Sequence, residues 1–216
     1  MSSIDKIIKI MEWHYGSCEW WPHGKFPDKG WEICAGAILT QSTSWKNVEK
    51  ALDLMKEKRL TSYESILNST IIDVERAVRP SGFFRQKASR LKTLAGFIAE
   101  MGGMDAFQKN VTREQLLSIN GIGSETADSI LLYALDRKEF VVDAYTRRIF
   151  SRIGLLDEKD DYMKIKHMFE ITVPEDMYKN VHGWIVELAK THCRKNPLCV
   201  KCPLKNECRY ATMSLV

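Results

Sequence analysis

Residues 116–128 read LLSINGIGSETAD, a stretch in which two helical segments flank a short glycine turn. The two glycines permit a turn that Cβ atoms would obstruct, and they leave backbone N–H groups free to face outward. With the positive end of the helix that follows, these amides offer a site for a phosphate oxygen. Taken alone, such a turn is most often only the end of a helix. The candidate phosphate contacts are Gly121, Ile122, Gly123 and Ser124.

Beyond this hairpin, the apolar residues of nearly the whole chain have the spacing that is typical of α-helices. Of its 216 residues, 44% are hydrophobic and 28% are charged, which is ordinary for a globular protein. Apolar residues recur at three- and four-residue intervals, and Gly, Pro, Asn and Ser separate the segments. The best strand signal is the short run 140–142. We therefore predict an all-α fold whose ten short helices lie at residues 3–14, 31–40, 46–58, 72–79, 85–101, 112–119, 124–136, 143–153, 161–171 and 175–193.

Composition restricts the cellular compartment. No apolar run is long enough to cross a bilayer, and Asp5, Lys6 and Lys9 interrupt any signal-peptide core. Six cysteines without a secretion signal favour a reducing compartment, so we expect a cytoplasmic or nuclear protein without a membrane span. The net charge of +4 is only a weak indication of a polyanionic partner.

Four of the six cysteines crowd into one C-terminal segment with five, two and five residues between them. Four thiolates suit either a cubane iron–sulfur cluster or tetrahedral zinc. Structural zinc more often uses two CxxC pairs, so a single central CxxC flanked by longer loops favours the iron–sulfur cluster. The candidate ligands are Cys193, Cys199, Cys202 and Cys208.

A candidate catalytic carboxylate follows the apolar run 140–142. Asp143 stands before a predicted helix, and aspartate in such a place is most often only the helix N-cap. The cap and a catalytic role are compatible, because the start of a helix also keeps a carboxylate ionised.

The pattern LxxxGIGxxTAD, then VVDxY, then the four-cysteine segment resembles the endonuclease III family of helix-hairpin-helix (HhH-GPD) DNA glycosylases, over nearly the whole chain. The resemblance implies that Asp143 is essential, that the four cysteines hold a [4Fe–4S] cluster, and that a monomer acts on double-stranded DNA containing a damaged base. It also implies a nucleoid-associated or nuclear location. The first gap between the cysteines is usually six residues and is five here, so the loop is one residue tighter.

The same resemblance predicts two helical lobes with a cleft between them. Residues 28–139 would form one lobe, with the helix-hairpin-helix motif at about 112–136. Residues 1–27 and 140–216 would form the iron–sulfur lobe, and Asp143 would face the cleft.

Three features sort the branches of the family. Bifunctional members, which also cut the strand, have a lysine where this chain has Glu125, and only an amine forms a Schiff base with the sugar. Adenine-from-mismatch glycosylases have an acid in the segment that corresponds to 34–41, where this chain has none. The segments 20–22, 39–45 and 78–84 look like those of endonuclease III-like 3-methyladenine DNA glycosylases. Known members of that group can lack the cluster, so the retained cysteines are a departure.

Methylated purines carry a positive charge, so they leave easily and favour a pocket with aromatic faces. Trp20, Trp21, Pro22 and Trp45 are the candidate walls of this pocket, although core packing is the commoner role of a tryptophan. Gln41 is the candidate side chain that fills the space left by the flipped base. We expect His182 to be a histidine of the core.

Other functions stay open at this point. The chain could be a bifunctional glycosylase and lyase acting on oxidised pyrimidines, or a glycosylase for another lesion such as mismatched thymine. A DNA-damage-binding protein without catalysis is the alternative outside enzymes.

Overall fold

Helices follow one another along almost the whole chain in the computed structural model, which describes residues 3–18 and 20–214. This part of the chain contains thirteen α-helices and no β-strand, so the predicted all-α fold is confirmed. The helices are α1 (Ser3–Tyr15), α2 (Lys29–Leu39), α3 (Trp45–Glu57), α4 (Tyr63–Asn68), α5 (Ile71–Val78), α6 (Phe84–Glu100), α7 (Met104–Asn110), α8 (Arg113–Ser118), α9 (Ser124–Ser129), α10 (Ala144–Ile153), α11 (Tyr162–Glu170), α12 (Tyr178–Thr191) and α13 (Arg209–Ser214).

Several helices begin where the sequence provides a capping side chain. Asp28 accepts a hydrogen bond from Trp31 N at the start of α2, and Asp161 does the same for Met163 N at the start of α11. Thr112 forms a capping box with Gln115 at the start of α8. Each cap satisfies an amide that the first turn of a helix leaves without a partner.

The chain divides into two units, of which the central unit comprises residues 22–137. Ten of the eleven residues of α2 are buried, because the helix packs against α3, α6 and α9. A helix that is apolar on all sides is stable only in such a position. This burial fixes the loop that follows α2, in which Gln41 lies.

Glu32 is a buried acid of α2 with a structural partner. Its two carboxylate oxygens accept hydrogen bonds from the backbone amides of Gly24, Lys25 and Phe26, at 2.9 to 3.1 Å. A buried carboxylate needs such donors to offset its desolvation. The side chain thereby holds the segment that precedes α2.

The terminal unit comprises residues 1–21 and 138–216. Helix α12 packs against α1 and α10, and the ring of Phe169 stacks on Phe140 and meets Phe150 edge-on. The run 140–142 is buried and has no regular secondary structure, although it is the best strand signal of the sequence. It enters the core as extended chain and places Asp143 at the start of α10.

The structure differs from the sequence prediction mainly in short elements. The helices α4, α7 and α13 were not predicted, because six or seven residues carry too little periodicity to be detected. The predicted helix 124–136 ends as an α-helix at Ser129 and continues as a π-helical turn, Ile130–Ala134. The segment 175–177 is a 3₁₀ turn that precedes α12. None of the described helices is long and apolar enough to span a membrane.

Candidate active site and hairpin

Asp143 is the N-cap of α10, as its sequence context predicts. Its Oδ1 accepts hydrogen bonds from Thr146 N at 2.7 Å and from Thr146 Oγ1 at 2.8 Å. Thr146 is fully buried, so the position of this oxygen is well fixed. The cap therefore uses one carboxylate oxygen and leaves Oδ2 for other contacts.

His182 of α12 faces the second oxygen. Its Nε2 lies 3.7 Å from Asp143 Oδ2, and only 3% of the residue is exposed. Burial acts to raise the pKa of the Asp143 carboxyl, but the interactions with His182 and with Thr146 outweigh it, so this pKa is below its ordinary value. The carboxylate is therefore ionised at neutral pH and can stabilise positive charge or orient a water molecule.

The predicted tryptophan pair lies beside this histidine. The ring of Trp20 meets the ring of His182 edge-on, with 5.3 Å between centroids, and meets Trp21 in the same way at 5.3 Å. Trp20 is half-buried and Trp21 is buried. The Nζ atom of Lys190 lies 5.3 Å from the Trp20 ring centroid. Trp20 and His182, which are 162 positions apart in the sequence, thus belong to one cluster with Asp143.

Gly183 explains why the segment 18–21 can come so close to α12. A Cβ atom at Gly183 would lie 2.7 Å from Cys18 Sγ and 2.8 Å from Trp20 Cβ. The Oδ1 of Asn180 accepts a hydrogen bond from Cys18 N at 2.8 Å, and Trp184 donates one to Gly16 O at 2.7 Å. The sequence signal for this contact is a glycine in the interior of a helix.

The hairpin joins α8 to α9, and its two glycines have different roles. Gly121 has φ +90°, and a Cβ atom there would lie 2.6 Å from Arg90 Cδ and 2.7 Å from Cγ. Gly123 is the N-cap of α9 in extended conformation, and a Cβ atom there would meet open space. The amide of Ile122 donates to Ile119 O and is used within the turn. The outward positions are therefore those around Gly123 and Ser124.

Gln41 ties the loop after α2 to this hairpin. Its Nε2 donates to Gly121 O at 3.1 Å and to Thr126 Oγ1 at 2.9 Å, and its Oε1 accepts from the Arg90 guanidinium. Gln41 is the candidate side chain for the space left by a flipped base, and its contacts with the hairpin are not indicated by the sequence.

A buried ion pair braces the two hairpin helices. Asp128 of α9 is fully buried, and its oxygens accept from Arg113 Nε at 2.7 Å and from Arg113 NH2 at 3.2 Å. Such a bidentate pair has a fixed geometry as well as a charge interaction. It holds the start of α8 against α9 and so maintains the angle of the hairpin.

Lys87 stabilises the end of α2, which leads into the same loop. Only 1% of the residue is exposed, and its ammonium donates to Leu39 O at 2.9 Å and to Ser81 O at 2.6 Å. Burial, and secondly the charge of Arg90, lowers the pKa of Lys87 to about 8. A buried cation thus fixes the last turn of α2, and Gln41 lies in the loop that follows this turn.

The remaining candidate pocket residues belong to the central unit. Trp45 is half-buried at the first position of α3, and Pro22 is exposed. Glu125, at the position of the lyase lysine, is exposed in the first turn of α9.

The four C-terminal cysteines line one cavity together with Arg152 and His192. All four are half-buried, and burial raises the pKa of the Cys202 thiol to about 11. The guanidinium of Arg152 donates to Cys193 Sγ at 3.3 Å, and the Nε of Arg148 donates to Cys193 O at 2.9 Å. Among residues 3–18 and 20–214, no group of three or more His, Cys, Asp or Glu side chains converges on a site for a single metal ion. A [4Fe–4S] cubane does not require this convergence, because each of its four thiolates binds a different iron.

Comparisons with known proteins agree on one family. The model of the HhH-GPD superfamily of base excision DNA repair proteins matches residues 35–175. A Methanocaldococcus jannaschii protein named as a candidate DNA repair glycosylase is 48% identical over 213 residues, which are 95% of each chain. The H. pylori 3-methyladenine DNA glycosylase, solved with bound 1,N6-ethenoadenine, is 32% identical with a TM-score of 0.76, over 88% of this chain and 98% of that one.

A trapped covalent complex of endonuclease III with DNA superposes over 100% of both chains, with a TM-score of 0.82 and 19% identity. At that identity the likeness shows the fold alone. The family match and the two more similar relatives carry the assignment further: the chain belongs to the HhH-GPD superfamily of base excision DNA repair proteins and is a DNA glycosylase of its endonuclease III-like group.

Proposed function

We propose that this glycosylase is monofunctional and releases alkylated purines, such as 3-methyladenine, from double-stranded DNA. The observation that carries the proposal is the cluster of an ionised aspartate, Asp143, with the His182 and Trp20 rings. Similarity to the H. pylori 3-methyladenine glycosylase supports the choice of substrate.

Asp143 would act on the sugar. As the glycosidic bond lengthens, positive charge develops on the sugar, and a fixed carboxylate stabilises that charge in a site of low polarity. The free oxygen, Oδ2, is the one available for this purpose, or for orienting the attacking water. Because the carboxylate is held by Thr146, it needs no rearrangement during the reaction.

Trp20 and Trp21 of the terminal unit would contact the flipped base, while Pro22 and Trp45 stay pocket candidates from the sequence alone. An aromatic face attracts a cationic or electron-poor ring by about 0.5–2 kcal/mol, depending on desolvation. A methylated purine is already a good leaving group, so the pocket has to select the base more than activate it. Lys190, which lies over the Trp20 ring, opposes a cationic base and so limits this preference.

DNA would be held by the hairpin. The backbone amides around Gly123 and Ser124 would bind a phosphate, a contact that positions the duplex and carries no sequence information. Gln41 would enter the space left by the flipped nucleotide, and this requires release of at least one of its contacts with Gly121 and Thr126. A flipped damaged base costs a few kcal/mol to unstack, less than a normal pair.

The absence of lyase activity is proposed from Glu125. Strand cleavage by this family needs an amine that forms a Schiff base, and a carboxylate at the start of α9 cannot provide one. The enzyme would therefore leave an abasic site with an intact strand.

Cys193, Cys199, Cys202 and Cys208 would hold a [4Fe–4S] cluster. Four thiols around one cavity fit the donor set of such a cluster, and Arg152 supplies a hydrogen bond to one of the sulfurs. The cluster would fix the shape of the loop 193–208. Through Arg148 and Arg152 that loop is anchored on α10, the helix that Asp143 caps.

Base release from methylated duplex DNA tests this function. We expect free methylpurine in solution, with strand breaks only after hot alkali. Breaks without alkali that borohydride traps would show a lyase. Release of thymine from a mismatch, without methylpurine, would identify another lesion, and binding without release would identify a damage-binding protein.

The matching variant is Asp143→Asn, which should lower base release by about 10²- to 10⁴-fold. Asp161→Asn is its control, because Asp161 caps α11 in the same unit and asparagine caps a helix as well as aspartate does. Equal losses in the two variants would show that capping, and not the charge of Asp143, supports activity.

A further inference from the structure

We infer that His182 is a positioning residue that holds the Asp143 carboxylate and directs its Oδ2 atom during base release. This inference rests on the proposed function, because it assigns His182 to the same reaction. It rests on the different contacts of the two carboxylate oxygens. Thr146 donates hydrogen bonds to Oδ1, while Oδ2 faces His182 Nε2.

The separation of 3.7 Å decides what kind of contact this is. It is longer than a direct hydrogen bond, which has about 2.7–3.2 Å between the heavy atoms. The imidazole therefore faces the carboxylate through a long polar contact and not through a short hydrogen bond. Oδ2 keeps its capacity to accept a hydrogen bond from the attacking water or to face the developing cation on the sugar.

The imidazole is held in place from two sides. The edge of the Trp20 ring meets it at 5.3 Å, and the neighbouring Gly183 lets the segment 18–21 pack directly on α12. Residues at 3% exposure in such packing have little freedom to rotate. The same contact joins the base-pocket tryptophan to the catalytic carboxylate, so His182 can transmit the position of one to the other.

Charged and titratable groups lie on the elements that pack around His182. Asp143 faces it from the start of α10, and Cys18 lies on the segment 18–21 beside Gly183. On α12 itself, Lys190 reaches the Trp20 ring and Glu187 influences Cys18. Among these groups, Asp143 is the one that the proposed reaction uses.

The pKa of the Asp143 carboxyl supports this role. Burial raises it, and His182 is the largest of the influences that lower it. Without the imidazole, burial would be opposed mainly by Thr146, so the pKa would rise. Base release would then fall most at acidic pH, where more of the carboxylate is protonated, and recover as the pH rises.

Two variants separate this role from packing. His182→Phe keeps an aromatic ring against Trp20 without the nitrogens, and His182→Gln keeps a side-chain N–H donor without the ring. Single-turnover base release, measured from pH 3 to 8, should show the acid limb of His182→Phe at higher pH than that of the wild type, in which the pKa of the Asp143 carboxyl is below its ordinary value. The rate at the acid end should therefore fall in His182→Phe, and His182→Gln should restore part of it. An unchanged pH profile in His182→Phe would overturn the inference.

The double variant with Asp143→Asn provides a second test. If His182 acts through Asp143, the His182→Phe substitution should cause no further loss in that background. Losses that multiply would show an independent role and contradict the inference.

A measurement without substrate separates this inference from the proposed function. The carboxyl ¹³C resonance of Asp143 reports its titration directly, and it should titrate at higher pH in His182→Phe or His182→Gln than in the wild-type enzyme. If the wild type releases no methylpurine but the titration shifts, the proposed substrate is wrong and the pairing stands. If the enzyme is active and the titration does not shift, the pairing is wrong.

Discussion

The hairpin allows a sharp prediction, because its two glycines differ in what a methyl group would meet. Gly121→Ala should destabilise the enzyme, whereas Gly123→Ala should leave its stability nearly unchanged. At Gly121 the backbone has φ +90°, and the new Cβ atom would collide with the Cγ, Cδ and Nε atoms of Arg90. At Gly123 the backbone is extended and no atom lies within 4 Å of the new methyl group.

The size of the effect follows from two contributions. A non-glycine residue in a strained region of positive φ costs about 1–2 kcal/mol. The Arg90 side chain must also move along its stem, which breaks its charged hydrogen bond to Gln41, a loss of about 1.5–3 kcal/mol. We therefore expect Gly121→Ala to lower the free energy of unfolding by about 2.5–5 kcal/mol. For Gly123→Ala, the lower entropy of the unfolded chain stabilises the fold and the poorer N-cap destabilises it, so the two effects nearly cancel, within about 0.5 kcal/mol.

Urea denaturation and duplex binding, measured on both variants, check this reasoning. Gly123→Ala should fold normally yet bind DNA roughly tenfold more weakly, about 1.4 kcal/mol, because its methyl group lies where the phosphate would approach. Equal stability of the two variants would refute the constraint at Arg90. Full DNA affinity of Gly123→Ala would refute the phosphate contact.

Two further predictions concern the cysteine loop and the buried lysine. Cys199→Ser should lower the iron content and the absorbance near 400 nm, while Cys18→Ser, outside the cavity, should keep both; equal iron in the two variants would contradict the ligand assignment. Lys87 has a pKa of about 8 when folded and near 10.5 when unfolded, so the unfolded chain binds more protons between these pH values and stability rises across that window. The unfolding free energy of the wild type, relative to Lys87→Met, should therefore increase by roughly 3 kcal/mol from pH 7.5 to 10.5, and a constant difference would show that Lys87 has no lowered pKa.

Most of the helices and the glycine hairpin could be predicted from the sequence, whereas the roles assigned to Asp143 and the other candidate site residues stay predictions. Helix starts at Asp143 and near Asp161 depend on local hydrogen bonds between neighbours, so they can be read from a few residues. The glycine turn is local in the same way. The short helices α4 and α7 were missed because their packing, and not their periodicity, stabilises them.

Contacts between distant segments could not be predicted. The bonds from Gln41 to Gly121 and Thr126 span 80 and 85 residues, and no local pattern specifies them. His182 has the spacing of a core residue of α12, and it is indeed buried. The periodicity of α12 cannot indicate that His182 faces Asp143.

The contacts of Asp143 suggest an advantage in placing the proposed catalytic aspartate at the N-cap of a helix. A cap fixes one carboxylate oxygen with two hydrogen bonds from Thr146, and the amides that it satisfies also favour the charged form. The other oxygen then has a defined direction, and burial around it strengthens any interaction with a developing positive charge. Burial alone would raise the pKa and neutralise the group, so a buried catalytic carboxylate needs a second partner such as His182. One aspartate, one threonine and one histidine thus suffice to keep a negative charge fixed in a largely buried position.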